Sequence, residues 1–203
     1  MKTMNKKMPI LYSIGKVLIG WIYNLYYNPK VINGDYIPKD GPIIIVGNHK
    51  HVYDQFSAIL STKRGIHYMA KKEYFEKPFS KFIFENVGCI SVDRTKKDEE
   101  AVKQALNILR DGGAVGLFPE GTRNKTKEFL LPFKFGAVSM AKKTGAYLVP
   151  FGLTGDYTFR SKNLTMRFGK PFKIPDDMDL ETANKKIYKT IEKLMKENLK
   201  EDK

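Results

Sequence analysis

The stretch that most constrains the fold runs from Pro42 to Leu60. Pro42-Ile43-Ile44-Ile45-Val46-Gly47 is a short apolar, β-branched segment of the kind that forms a buried strand. After the turn residues Asn48 to Tyr53, Asp54-Gln55-Phe56-Ser57-Ala58-Ile59-Leu60 reads as the first turns of a helix. A strand that passes through a turn into a helix delivers its polar turn residues to a sheet edge, where α/β proteins place their sites. His49 and Asp54 are five apart, so on one continuous helix they would point away from each other. With His49 in the turn and Asp54 at the helix start, the two side chains can meet. A carboxylate on one imidazole nitrogen fixes the tautomer and leaves the other nitrogen as a base near neutral pH. The alternative is that Asp54 caps the helix and His49 is a surface histidine. This stretch alone leaves both readings open.

The remaining pattern is consistent with that fold class. Ile66–Ala70, Gly88–Arg94, Ala114–Phe118, Tyr147–Phe151 and Leu164–Phe168 read as strands. Helices are predicted over Phe79–Val87, Asp98–Arg110, a segment ending near Thr144, and Leu180–Leu199. In Asp98–Arg110, Val102, Ala105, Leu106 and Leu109 recur at three- and four-residue spacing. The expectation is an α/β domain over residues 30–203, with a central, mostly parallel sheet flanked by helices.

Residues 1–29 form a separate apolar segment. Lys2, Lys6 and Lys7 precede an apolar run from Pro9 to Tyr27 that ends in Trp21, Tyr23, Tyr26 and Tyr27. No small-residue cleavage site follows, which argues against a signal peptide. A spanning helix needs about twenty predominantly apolar residues, and Lys16 interrupts this run. An amphipathic helix in one membrane leaflet is favoured, with the lysines on anionic headgroups. The competing reading packs the helix on the protein's own sheet.

The formal net charge of +14 over 203 residues favours anionic partners, whether lipid headgroups, phosphorylated substrates, an acidic carrier protein or nucleic acid. Solubility explains part of that excess. The single Cys89 excludes an internal disulfide and allows a reducing compartment; its neighbours Val87, Gly88 and Ile90 look like core. His49-x-His51 lacks the companions a zinc site needs, so no metal is expected.

The strand Ala114–Phe118 runs into Pro119-Glu120-Gly121-Thr122-Arg123. Glycine lets a backbone approach a ligand closely, and a planar guanidinium takes two phosphate oxygens at once, which makes Arg123 a good anion ligand. Lys71 and Lys72 end a strand in a position suited to phosphate, although surface lysines are common.

Asn48-His49 with Asp54, Gly88 to Arg94, Phe118 to Arg123 and Val149-Pro150 resemble, in order, the four blocks of the glycerolipid acyltransferases. The closest resemblance is to the 1-acylglycerol-3-phosphate (lysophosphatidic acid) acyltransferase type. It covers about residues 30–160. The resemblance implies that His49 is the general base and Asp54 its partner, with His51 on a variable position of the motif. It further implies that Glu120, Gly121, Thr122 and Arg123, with Arg94 and Lys71 or Lys72, hold the acceptor's phosphate. The donor it implies is an acyl thioester of acyl carrier protein or CoA, a co-substrate, so no cofactor is expected. The implied acceptor is a lysophospholipid, and the implied location is peripheral or monotopic on the cytoplasmic face of the cell membrane. Within the family, glycerol 3-phosphate or another lysolipid is an alternative acceptor. From other classes, a phosphoester hydrolase and a basic nucleic-acid-binding module stand as rivals; the second leaves the apolar start unexplained and carries no recognised nucleic-acid motif.

Overall fold

A computed structural model of the chain describes residues 9–160 and 163–201. Lys2, Lys6 and Lys7, expected on anionic headgroups, lie outside the described residues.

In chain order the elements are α1 (Ile10–Tyr27), β1 (Lys30–Ile32), β2 (Ile43–Gly47), α2 (Asp54–Leu60), β3 (Ile66–Lys71), α3 (Pro78–Asn86), β4 (Ile90–Val92), α4 (Glu99–Arg110), β5 (Ala114–Leu117), α5 (Gly136–Thr144), β6 (Tyr147–Thr154), β7 (Thr165–Phe168) and α6 (Leu180–Glu201). Among the described residues the strands form one sheet in the order β1-β7-β6-β2-β5-β3-β4. β6, β2, β5, β3 and β4 run parallel, and β7 joins β6 antiparallel, carrying β1 with it at the edge. The sheet is therefore mostly parallel, as the alternating strand and helix pattern requires.

All five residues of β2 are buried, which explains its unbroken apolar run: a parallel strand at the middle of a sheet is covered on both faces. Successive side chains go to opposite faces. Ile43 and Ile45 join Val149, Phe151 and the α1 residue Tyr23 in one core, while Ile44 and Val46 join Val115, Leu148 and the inner faces of α4, α5 and α6 in the other. α4 is capped as its sequence suggests: the Asp98 carboxylate accepts from the Ala101 N–H at 3.0 Å. Its deepest residues are Ala101, Ala105 and Leu109, with Val102 and Leu106 on the flanks of the stripe.

α1 packs on the domain along one side. Tyr12 and Tyr23 are buried, the Tyr12 hydroxyl accepts from the Ile66 N–H at 3.1 Å, and Tyr23 shares a 2.8 Å hydrogen bond with Ser57 of α2. Lys16 donates to the Thr62 carbonyl just past α2. One side of α1 is thus packed on the domain rather than standing apart from it. The opposite side is bare: Ile10, Val17 and Trp21 expose 78%, 71% and 70% of their surface. Among the described residues no helix is long and apolar enough to cross a membrane.

Candidate active site

The turn after β2 is pinned by five contacts, four through side chains and one between backbones. Asn48 is buried and meets the backbone of Leu153 twice, donating to its carbonyl at 2.9 Å and accepting from its N–H at 2.7 Å. One residue on, the His49 N–H donates to Glu120 Oε1 at 2.7 Å, and the His49 carbonyl accepts from the Asn124 N–H at 2.7 Å. The His49 ring lies flat on Phe118, with centroids 3.9 Å apart and planes 8° apart. The strand-to-helix turn is therefore fastened to the turn that follows β5, and the ring has little rotational freedom.

Asp54 opens α2 and its side chain is fully buried. Its Oδ2 lies 2.8 Å from His49 Nδ1 and accepts from the Lys50 N–H at 2.6 Å and the His51 N–H at 2.8 Å. Its Oδ1 accepts from the Tyr157 hydroxyl at 2.8 Å. A carboxylate so supplied with donors is an acceptor toward His49, so the His49 proton resides on Nδ1 and the lone pair on Nε2. Of the two readings of this stretch, the structure has the dyad: His49 and Asp54 do meet. His51 is turned elsewhere. Its ring stacks on Tyr157 at 4.4 Å, and among the described residues its buried Nδ1 has no hydrogen-bond partner.

His49 lines a cavity of about 630 Å³. Most of the wall is apolar, with Ile19 and Gly20 from α1, Ile59 and Leu60 from α2, Met69 from β3, and Phe84 from α3. Arg94, Thr122, Arg123 and Lys71, all expected at the site, line the same cavity. Lys125 lines it too, as does Lys16, which in the sequence figures only as the charge that interrupts the apolar run. Among the described residues, neither Arg94 nor Arg123 has an ion-pair partner, whereas Lys71 is paired with Glu73 at 2.5 Å. Burial pulls the Lys16 ammonium below its ordinary value. Cys89 also lines the cavity, and burial pushes its thiol up to about 12, so it stays protonated.

Three expected phosphate ligands are placed differently. Glu120 is buried, with Oε1 accepting from His49 N–H and Oε2 from the Leu131 N–H at 2.9 Å; burial raises its carboxyl above the usual range, against the pull of those two donors. A carboxylate would in any case repel a phosphate. Gly121 is outside the cavity wall, and its φ of +71° shows why glycine occurs there: the turn needs a left-handed residue rather than a close approach to ligand. Lys72 is also outside the wall, paired with Asp93 at 2.9 Å, and the Thr95 hydroxyl together with Lys72 holds that carboxyl well below the usual range. His67 Nδ1 donates to the Gly88 carbonyl at 2.7 Å. Among the described residues no three His, Cys, Asp or Glu side chains converge as a metal-ligand set.

Residues 28–154 match a family model described as Acyltransferase. A 1-acyl-sn-glycerol-3-phosphate acyltransferase of Borreliella burgdorferi is 32% identical over 141 residues, which are 68% of this chain and 56% of that protein. One of Bacillus subtilis is 31% identical over 157 residues, 74% of this chain and 76% of that protein. The chain thus spans little more than half the length of the first relative. In fold it resembles the crystal structure of the 1-acyl-sn-glycerophosphate (LPA) acyltransferase PlsC from Thermotoga maritima, with a TM-score of 0.73 and 23% identity, covering 92% of this chain and 77% of that one.

Proposed function

The chain belongs to the acyltransferase family, and from that premise we propose that it moves a fatty acyl group from an acyl thioester to the sn-2 hydroxyl of 1-acylglycerol 3-phosphate, giving phosphatidic acid. The observation that carries this reading is the position of the His49–Asp54 dyad, on the wall of an apolar cavity that also holds Arg94 and Arg123. A lysophospholipid has that same division, with a phosphate, a hydroxyl and a long apolar chain.

In this mechanism His49 Nε2 takes the proton of the acceptor hydroxyl as its oxygen attacks the thioester carbonyl carbon. The tetrahedral oxyanion collapses, the carbon–sulfur bond breaks, and the thiolate leaves. The imidazolium returns its proton to that thiolate, so His49 ends as it began. Asp54 keeps the ring in the productive tautomer and stabilises the imidazolium while it lasts. Arg94 and Arg123 hold the acceptor's phosphate, with Thr122, Lys71 and Lys125 near them. Glu120 acts one step back, fixing the turn that carries His49. Positioning of this kind lowers the barrier because the hydroxyl is delivered within hydrogen-bond reach of its base. The bare face of α1 meets the bilayer, and the enzyme is monotopic on the cytoplasmic face of the cell membrane.

A matrix of donors (acyl carrier protein and CoA thioesters) against acceptors (1-acylglycerol 3-phosphate, glycerol 3-phosphate and a lysophospholipid lacking a terminal phosphate) tests it with purified protein in vesicles. Phosphatidic acid is the expected product, reduced about a hundredfold to ten-thousandfold by His49→Ala and severely by Asp54→Asn. Release of inorganic phosphate without ester formation would replace this reading with phosphoester hydrolysis.

A further inference from the structure

Asp54 has one contact that comes from far outside the His49 turn. Tyr157 is 103 residues away in the chain, in the loop between β6 and β7, and its hydroxyl donates to Asp54 Oδ1 at 2.8 Å. The other three donors to Asp54 are local and converge on Oδ2, so Tyr157 is the donor that fixes the carboxylate's rotation about its own axis. It also lies beyond residues 28–154, the part of the chain that matches the family model.

The Tyr157 ring is itself held. His51 stacks on it at 4.4 Å and 26°, Tyr27 of α1 meets its plane at 5.4 Å and 85°, and Tyr23 of α1 lies at 6.5 Å. A phenol this confined has one direction in which to aim its hydroxyl. Burial and the neighbouring Asp54 charge drive its acidity far down, so it remains a donor at every working pH.

We infer that Tyr157 is a positioning residue of the acyl-transfer site: by holding Asp54 Oδ1 it sets the orientation and basicity of His49, and it ties the dyad to helix α1. The inference rests on the function proposed above. A hydrogen bond to Oδ1 withdraws charge from the carboxylate, so the imidazolium opposite Oδ2 is stabilised less than it would be beside a bare carboxylate. Removing the hydroxyl therefore raises the pH at which His49 loses its proton, while letting the carboxylate and the ring turn. The other titratable groups facing Asp54 are Tyr23 of α1, Tyr68 of β3 and Glu120 after β5. His51 and Lys50 flank it in the turn, and Arg94, Arg123 and Lys71 share the cavity with His49. Of these, Tyr23 also shares a hydrogen bond with the Tyr157 hydroxyl and loses it in a Tyr157→Phe variant, whereas the ring contacts of His51 are kept.

The test is Tyr157→Phe, which keeps the ring contacts and removes the one oxygen. With 1-acylglycerol 3-phosphate as acceptor, kcat is expected to fall about tenfold, the scale of one hydrogen bond to a charged group, with KM little changed. The acidic limb of the kcat/KM profile moves to higher pH. In parallel, the His49 imidazole is titrated by NMR in resting protein, in the wild-type and Asp54→Asn backgrounds. Tyr157→Phe raises its midpoint in the first and leaves it unchanged in the second. That readout needs no turnover, so it separates failure of this inference from failure of the acyl-transfer reading. An unshifted His49 midpoint with wild-type kcat, or an equal shift in the Asp54→Asn background, would overturn it.

Discussion

At the scale of single residues, the strand and helix around His49 and Asp54 announce themselves by composition, but their spacing alone left a dyad and a helix cap equally open, and only the resemblance implied the dyad. Glu120 was not legible in the same way. Its place in Pro119-Glu120-Gly121-Thr122-Arg123 suggested a polar ligand, yet both oxygens go to backbone N–H groups of His49 and Leu131. Nothing in a linear motif tells which of its polar residues turn inward. Burial makes the Glu120 carboxyl hold its proton more tightly in the folded protein than in the unfolded chain. It therefore contributes stability below its ordinary value of 4.5, and that contribution is lost as pH rises through the higher folded value. Glu120→Gln puts an amide nitrogen against one of the two N–H groups, leaving a buried donor unpaired at a cost of about 1–3 kcal/mol. The deficit relative to wild type is expected to be largest in acid and to shrink toward neutral pH, because only the wild type has a group that ionises. Urea unfolding at several pH values measures it; a deficit that grows with pH would mean the ionised carboxylate is the favoured form.

At the scale of elements, β2, β5 and α4 could be read from the chain because burial on two faces or on one stripe writes itself into the order of apolar residues. The antiparallel turn of β7 and its partnership with β1 could not, since pairing between strands 135 residues apart, such as Lys30 with Thr165, leaves no local trace. Tyr157 was invisible for the same reason. α1 was ambiguous because a helix that packs with one side and exposes apolar residues on the other has no clean stripe. The structure gives that packed side a measurable weight. Tyr23→Phe removes only the hydroxyl shared with Ser57 and is expected to lower stability by about 1 kcal/mol, whereas Tyr23→Ala also empties its place against Phe56 and Tyr27 and is expected to cost about 3–5 kcal/mol. Denaturant midpoints of the two variants check this; equal small losses would mean that α1 rests on the domain without being part of its core.

At the scale of the whole molecule, the proposed membrane contact would draw on both the net charge and the bare side of α1. A +14 balance favours an anionic surface, and among the described residues Ile14, Val17, Leu18, Trp21, Ile22 and Leu25 present apolar side chains that are half or more exposed. An acceptor with a long chain is scarcely soluble in water, so an enzyme that takes it from the bilayer gains by resting there. Cutting the chain near Asn28 would be a poor test, because it would also remove Tyr12 and Tyr23 from the core. Leu18, Trp21 and Leu25 are at least half exposed and fall on adjacent turns, so Leu18→Ser, Trp21→Ser and Leu25→Ser combined leave the packed side intact. Full burial of such side chains is worth about 1.5–3 kcal/mol each, and each basic residue near an anionic surface adds about 1 kcal/mol. Flotation of the wild type is therefore expected to be strongest with anionic vesicles, to weaken with added salt, and to drop in the triple variant under all conditions. A folded triple variant that floats as well as the wild type would remove α1 from the contact and leave charge alone to hold the protein at the surface. In that case added salt would release both proteins equally, which is the measurement that decides between an inserted helix and an adsorbed basic face.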